Sequence, residues 1–253
     1  MPDRLVARTA LITGAGNGLG RAFATALDAR GVRTVLTGRR REPLEETRAL
    51  LGNARVATVD VASPESVAAL ADELADEEIS ILVNNAGVPG PVKPLTEIEP
   101  DEWDDVFAVN VRGIYLVCRA FLPPMVARGA GDVINLSSVS GKRPLANRTP
   151  YTASKMAVIG LSNTLGAEVG TAGVRVNTLS PGPVRGPRME RNYRLEAERS
   201  GVSVEEAERA FTSRATLGRM VEESEVADAL VAMLTMTGLH CADIDLSAGM
   251  VGR

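Results

Sequence analysis

Short apolar runs, each closed by a turn and followed by a segment of helical spacing, succeed one another along this chain of 253 residues. No other feature restricts the fold as much. Residues 5–13 form the first run; a glycine cluster follows, then helical spacing over 21–30 with Gly31 as its stop. The unit recurs as a strand at 34–37 with a helix at 43–51, a strand at 55–59 with a helix at 64–74, and a strand at 79–83 with a helix at 101–126. Strands at 132–136, 174–179 and 244–246 and a helix at 151–169 extend the series. Such alternation implies crossover connections, hence a parallel sheet with helices on both faces. The expectation is one α/β domain over residues 1–253 with about seven strands. Residues 188–214 depart from the pattern: they are highly charged, and Ser203 followed three places later by Glu206 spells a capping box. Surface helices are expected there, with 185–214 as a lid over a substrate site.

Composition narrows the function. With 45% hydrophobic and 24% charged residues, the chain can bury a core without disulfides or a structural metal. A net charge of -4 argues against broad attraction to nucleic acid or anionic membrane, and so for small-molecule chemistry. Cys118 and Cys241 are too few for a disulfide framework, and no secretory pattern opens the chain, so a reducing cytoplasm is expected. No uninterrupted apolar run approaches the roughly 18 residues of a membrane span. His240 is the single histidine, which weighs against a metal site.

Between the first strand and helix lies Thr13-Gly14-Ala15-Gly16-Asn17-Gly18-Leu19-Gly20. Glycines allow unusual dihedrals and let the backbone approach a pyrophosphate at the helix N-terminus, so a dinucleotide is the natural guest; an ordinary flexible turn is the plainer alternative. The spacing is G-x-x-x-G-x-G through Gly14, Gly18 and Gly20, because Leu19 stands where a G-x-G-x-x-G pattern needs its last glycine. About twenty residues on, where an acid would bind the ribose 2'-hydroxyl of NAD, the chain has Thr37-Gly38-Arg39-Arg40-Arg41. A guanidinium suits the 2'-phosphate of NADP. NADP is therefore expected, with Arg39 as the contact, against the alternative that these arginines are solvated partners of Glu42, Glu45 and Glu46.

Tyr151 and Lys155 stand four apart on a helix and share one face. A neighbouring ammonium stabilises a phenolate, which suits proton transfer near neutral pH. Ser138 follows the fifth strand, thirteen residues before Tyr151, at the edge where open parallel sheets bind ligands. Asn84-Asn85-Ala86-Gly87 closes the fourth strand, Asn110 sits in the next helix, and Asp60 closes the third strand. Singly, each has a plain use as a cap or turn residue; jointly, they gather at one edge of one sheet.

These residues resemble the short-chain dehydrogenase/reductase family, in its short single-domain members, over nearly the whole chain. The likeness rests on TGAGNGLG from Thr13, Asp60 with Val61, NNAG from Asn84, Asn110, Ser138 with Tyr151-x-x-x-Lys155, and Pro181-Gly182. It implies a Rossmann-type doubly wound sheet and an oxidoreductase moving a hydride between NADP and a carbonyl or secondary alcohol. By the same resemblance Tyr151 exchanges a proton with the substrate oxygen, Ser138 polarises that oxygen, Lys155 holds the nicotinamide ribose and lowers the Tyr151 pKa, and Asn110 anchors a relay water. Gly14, Asn17, Gly18, Leu19 and Gly20 would cradle the pyrophosphate. Asp60 and Val61 would meet the adenine, Asn84, Asn85, Ala86 and Gly87 the adenosine ribose, and Pro181, Gly182 and Val184 the nicotinamide. A homotetramer, or a dimer, is expected by analogy.

Two departures stand out. Gly186 takes a place where many relatives have a cofactor-contacting threonine, and residues 238–249 follow the usual glycine-rich ending only loosely. For the substrate, Lys142, Arg143, Arg185 and Arg188 suggest an anion such as a carboxylate or phosphate ester; the alternative is that they face solvent or pair with the acidic stretch at 196–208. An NAD-preferring dehydrogenase, and a regulator that senses NADP without turning it over, stay open as rival readings.

Overall fold

The structure, a computed structural model, describes residues 5–143 and 145–251, and for residue 188 the backbone alone. Seven strands form one sheet: β1 (Thr9–Thr13), β2 (Arg33–Gly38), β3 (Ala54–Thr58), β4 (Ile79–Asn84), β5 (Gly131–Leu136), β6 (Val174–Pro181) and β7 (Asp243–Leu246). Their order is β3-β2-β1-β4-β5-β6-β7, and every neighbouring pair is parallel. The order reverses between β1 and β4, so a crevice opens at the carboxyl ends of those two strands, the usual ligand edge of a doubly wound sheet.

Alternation along the strands divides the core into two layers. Ala10 and Ile12 of β1 face one side, with Leu36, Ile81, Val83 and Ile134. There they meet α1 (Gly18–Asp28) through Phe23, Ala24 and Leu27, and α9 (Glu223–Thr235) through Val226, Leu230 and Leu234. Leu11 faces the other side with Val35, Leu82, Val133 and Val176. Covering them are α3 (Pro64–Glu73), α5 (Gly113–Arg128) and α6 (Thr149–Val169), which contribute Leu70, Phe121 and Val158. Burial on both faces leaves every residue of β1 buried, so its centre, Ala10-Leu11-Ile12, is continuously apolar rather than alternating.

Several boundaries move. Strand β1 begins at Thr9, and Leu5, expected within it, is fully buried in a preceding turn. Helix α2 (Arg41–Arg48) starts two residues earlier than its apolar positions suggest, with Arg40 as its N-cap. The helix expected at 101–126 is continuous over Pro100–Arg128: α4 (Pro100–Phe107) runs through a π turn at Ala108–Arg112 into α5. It is 29 residues long and holds an 18-residue window of mean hydropathy 1.4, enough by length and composition to cross a membrane, although charged residues such as Arg112 and Arg119 interrupt its apolar run. Its Ile114, Val117, Phe121 and Met125 are instead buried against the sheet, so its apolar character is that of a core helix.

Candidate active site

The glycine loop is built for backbone proximity. Gly14 and Gly18 have φ of +69° and +52°, the left-handed region that L side chains avoid. A Cβ on Gly20 would stand 2.1 Å from the Gly14 carbonyl oxygen, so α1 can enter the loop this closely only without a side chain. Asn17 is the N-cap of α1 but makes no side-chain capping bond, which leaves the first amides and the positive end of the helix dipole facing the crevice. Leu19 turns back against the core. The loop is tied to the turn after β4: Asn85 Nδ2 donates to the carbonyls of Thr13 (2.9 Å) and Gly14 (3.2 Å). The Asn85 and Ala86 amides both donate to Thr13 Oγ1 at 3.0 Å. These features fit an anionic dinucleotide backbone.

Around this cradle, Arg39 and Arg40 follow β2 in exposed positions and make no side-chain bond to the described residues, whereas Arg41 pairs with Glu45 at 3.3 Å. Asp60 shapes its turn by accepting the Ala62 amide (3.0 Å), and Val61 is buried against Gly113. Asn84 differs from expectation. It is 2% exposed and points into the core, where its amide donates to Asn135 Oδ1 (2.8 Å) and Cys118 Sγ (3.4 Å). Asn135 continues the rung to Ser162 (2.9 Å). Asn84 therefore braces the sheet beneath the site rather than lining it, and burial pushes the Cys118 thiol up to about 12.

The proton-transfer candidates meet where the first turns of α6 lie against the carboxyl end of β5. Tyr151 and Lys155 share the buried face of α6, with the Lys155 ammonium 5.9 Å from the Tyr151 ring centre. Lys155 Nζ donates to the Leu136 carbonyl (2.7 Å), and Ser137 Oγ to the Lys155 carbonyl (2.7 Å), which fastens the end of β5 to α6. One residue on, Ser138 lies past the strand end and N-caps a short 3₁₀ turn, Val139–Gly141, accepting the Ser140 amide at 3.2 Å. Asn110 occupies the π turn and is fully buried; its amide donates to Val88 O and Ser154 Oγ, both at 3.0 Å, while Oδ1 accepts the Val88 amide at 2.8 Å. Ser154 in turn donates to the Tyr151 carbonyl (2.8 Å). A Cβ on Gly87 would lie 3.2 Å from Asn110 Oδ1 and 3.5 Å from Lys155 Nζ, so the NNAG turn passes directly over both groups.

The third wall is the loop after β6. Gly182 donates its amide to Leu246 (2.8 Å), and a Cβ there would stand 2.8 Å from Ser247. Val184 pairs as a parallel bridge with Val221. Of the basic residues considered for an anionic substrate, Lys142 is committed elsewhere. It is nearly buried between Asp243 (2.6 Å) and Asp245, which locks the Ser138 turn to β7. Arg143 leans on the Met250 carbonyl, and Arg185 pairs with Glu222 (2.9 Å) and Glu208 (3.6 Å). The Arg188 side chain lies outside the described residues. An anion-binding cluster is thus not what most of these residues form.

Residues 8–198 match the family model described as short chain dehydrogenase. The D-threitol dehydrogenase of Mycolicibacterium smegmatis is 40% identical over 184 residues, 70% of each chain. Among solved structures, an actinorhodin polyketide ketoreductase with NADPH superimposes with a TM-score of 0.90 at 31% identity, over 96% of this chain and 97% of its own. An NAD+-bound xylitol dehydrogenase does so with a TM-score of 0.91 at 27% identity, over 97% of this chain and 100% of its own. The chain belongs to the short chain dehydrogenase family. It is an oxidoreductase of alcohol and carbonyl groups, acting on a small molecule.

In this short chain dehydrogenase, α7 (Pro187–Ser200) and α8 (Val204–Thr212) form a small body beside the crevice. Ser203 and Glu206 make the expected reciprocal capping box. The two helices have a core of their own in Met189, Tyr193, Ala197, Ala207 and Met220, and burial pushes the Tyr193 phenol up to about 12. Three contributors escaped the sequence reading. Thr13 holds the NNAG turn; Arg148, at the start of α6, reaches Pro89 O (3.3 Å) and Asn192 Oδ1 (3.4 Å) of α7; and Glu223 faces the glycine loop. Only Thr13 had a local signal, a hydroxyl at a strand end beside glycine.

Proposed function

We propose that this oxidoreductase moves a hydride between NADP and a carbonyl or secondary alcohol, with Tyr151 as the general acid and base. The observation that carries the reading is the convergence of Tyr151, Lys155, Ser138 and Asn110 beside the glycine cradle: Tyr151 and Lys155 share the buried face of α6, Lys155 is bonded to the end of β5, Ser138 stands just past that strand, and Asn110 is bonded to α6 through Ser154. A bound nicotinamide supplies the hydride. Ser138 donates to the substrate oxygen and orients it toward Tyr151, which gives that oxygen a proton during reduction and takes one during oxidation. Lys155 stabilises the Tyr151 phenolate through its ammonium and holds the ribose. Asn110 fixes the backbone at Val88 and, through Ser154, the turn of α6 that carries Tyr151. Gly14, Asn17, Gly18, Leu19 and Gly20 hold the pyrophosphate. Asp60, Val61, Asn85, Ala86 and Gly87 hold the adenosine, and Pro181, Gly182 and Val184 the nicotinamide.

NADP is favoured over NAD by the exposed Arg39 at the end of β2, free of any carboxylate partner among the described residues. The body formed by α7 and α8 serves as the lid, in a cytoplasmic homo-oligomer, a tetramer or dimer. The test is a titration with NADPH and with NADH followed by nicotinamide fluorescence, then turnover on a panel of polyols, ketoses, keto acids and 3-oxoacyl esters. Tighter NADPH binding with turnover of one class is expected; binding of neither dinucleotide overturns the reading.

A further inference from the structure

The start of α9 is crowded with acids, and their partners are unequal. Glu222, its N-cap, is held by Arg185 at 2.9 Å, and Glu225 is gripped by both terminal nitrogens of Arg219 at 2.7 Å. Glu223, between them, has no hydrogen bond or ion pair among the described residues. Its position is nevertheless well determined. Packing of Val226, Ala227 and Leu230 against Phe23, Ala24 and Leu27 sets α9 on α1 and carries the Glu223 carboxylate to the mouth of the glycine loop. Its Oε1 lies 3.7 Å from where a Cβ of Gly18 would stand and 3.4 Å from where a Cβ of Gly186 would stand. One oxygen thus fills the seam between the pyrophosphate loop and the loop leading to the lid.

We propose that Glu223 is an electrostatic brake on dinucleotide binding: a lone carboxylate set in that seam, opposing the anionic pyrophosphate that the amides and dipole of α1 attract. The inference rests on the reading above that this loop seats the pyrophosphate. Like charges in a half-buried seam repel with modest but measurable strength, enough to weaken binding about threefold to tenfold. The brake limits cofactor retention without altering the cradle itself.

The charged groups around Glu223 are few. Arg21 of α1 attracts it but is occupied by Glu46 (2.9 Å) and the Gly16 carbonyl (2.7 Å); Glu222 repels it; Arg185, on the Gly186 loop, is taken by Glu222. Burial raises the pKa of Glu223, Arg21 lowers it, and Glu222 raises it further. A bound pyrophosphate raises it again, so binding takes up protons and affinity increases as pH falls toward the range in which Glu223 titrates.

The experiment measures the Kd of NADPH and of NADH, the latter free of a titrating 2'-phosphate, for the wild type, Glu223→Gln and Glu222→Gln at about pH 4.5 and pH 8, in low and high salt. Glu223→Gln should bind both dinucleotides about threefold to tenfold tighter at pH 8, with an advantage that shrinks at about pH 4.5, where a carboxylate of raised pKa is largely protonated, and in high salt. Glu222→Gln, whose charge Arg185 already neutralises, should stay within about twofold of the wild type. Glu223→Gln binding no tighter than wild type, or keeping the wild-type pH profile, overturns the brake alone. Failure of the wild type to bind either dinucleotide overturns the cofactor reading and the brake with it.

Discussion

The two edges of the sheet are made from the same strands and treated in opposite ways. At the amino edge the buried charges are spent on one another. Asp132, nearly buried at the start of β5, is clasped by Arg8 at 2.6 Å and Arg175 at 2.5 Å. The same guanidiniums cap carbonyls: Arg8 that of Ser80, and Arg175 those of Leu234 (2.9 Å) and Met236. At the carboxyl edge the helix amides of α1 lack a side-chain cap, and Arg39 and Glu223 lack partners among the described residues. A cavity of about 490 Å³ opens at the amino edge, lined by Arg8, Arg128, Asp132 and Arg175, yet its donors are already bonded. Concavity alone therefore does not locate the chemistry. Unspent polar groups do, and a parallel sheet can leave them unspent at one edge because the other holds the fold together.

Substitutions can break that contrast. The largest effect is expected from Tyr151→Phe: turnover should drop about a thousandfold or more, with dinucleotide affinity and unfolding midpoint unchanged. Equal loss of binding would mean that Tyr151 is part of the scaffold. Asp132→Ala should do the reverse. Leaving two guanidiniums unpaired near the core should cost about 3–5 kcal/mol in urea unfolding while the folded fraction keeps its kinetic constants. Arg39→Ala should weaken NADPH by about tenfold, close to 1.4 kcal/mol, and leave NADH untouched; a parallel loss for both would show that Arg39 reads the adenosine rather than its phosphate.

The smallest effect concerns acid. Glu77, just before β4 at the amino edge, is held below the usual carboxylate range chiefly by its hydrogen bond to Arg33, with Arg55 also contributing. A carboxylate depressed in the folded state contributes stability that is present above its unfolded pKa and disappears as pH falls through the folded one. Stability should therefore decline below about pH 4.5, and Glu77→Gln should flatten part of that decline. An unchanged acid limb would move the pH sensitivity to the other edge.

The seven strands, the glycine loop and the α6 face could be read because their signals are local: period two, period 3.6, and glycine where a backbone must turn or approach. The NNAG run shows a signal present but unused. Asn84 keeps the parity of Leu82, so strand alternation itself directs it to the α5 side, where Cys118 lies, while Asn85 has left the strand and is available to the loop. Lys142, Arg148 and Glu223 could not be read this way. What they meet is far off in sequence, 103 residues for Lys142 with Asp245, and no local pattern records which distant carboxylate or loop a charged side chain will meet.

That separation has a consequence for how the molecule is made. Chains leave the ribosome amino end first, and Tyr151, Lys155, Ser138 and the glycine loop all precede β7. A nascent chain that has reached α6 already holds these groups, but Lys142 is then an ammonium whose two counter-charges have yet to be synthesised. Only with residues 243–246 does the turn beside Ser138 acquire its anchor, so the last strand to be translated is also the one that finishes the wall of the crevice.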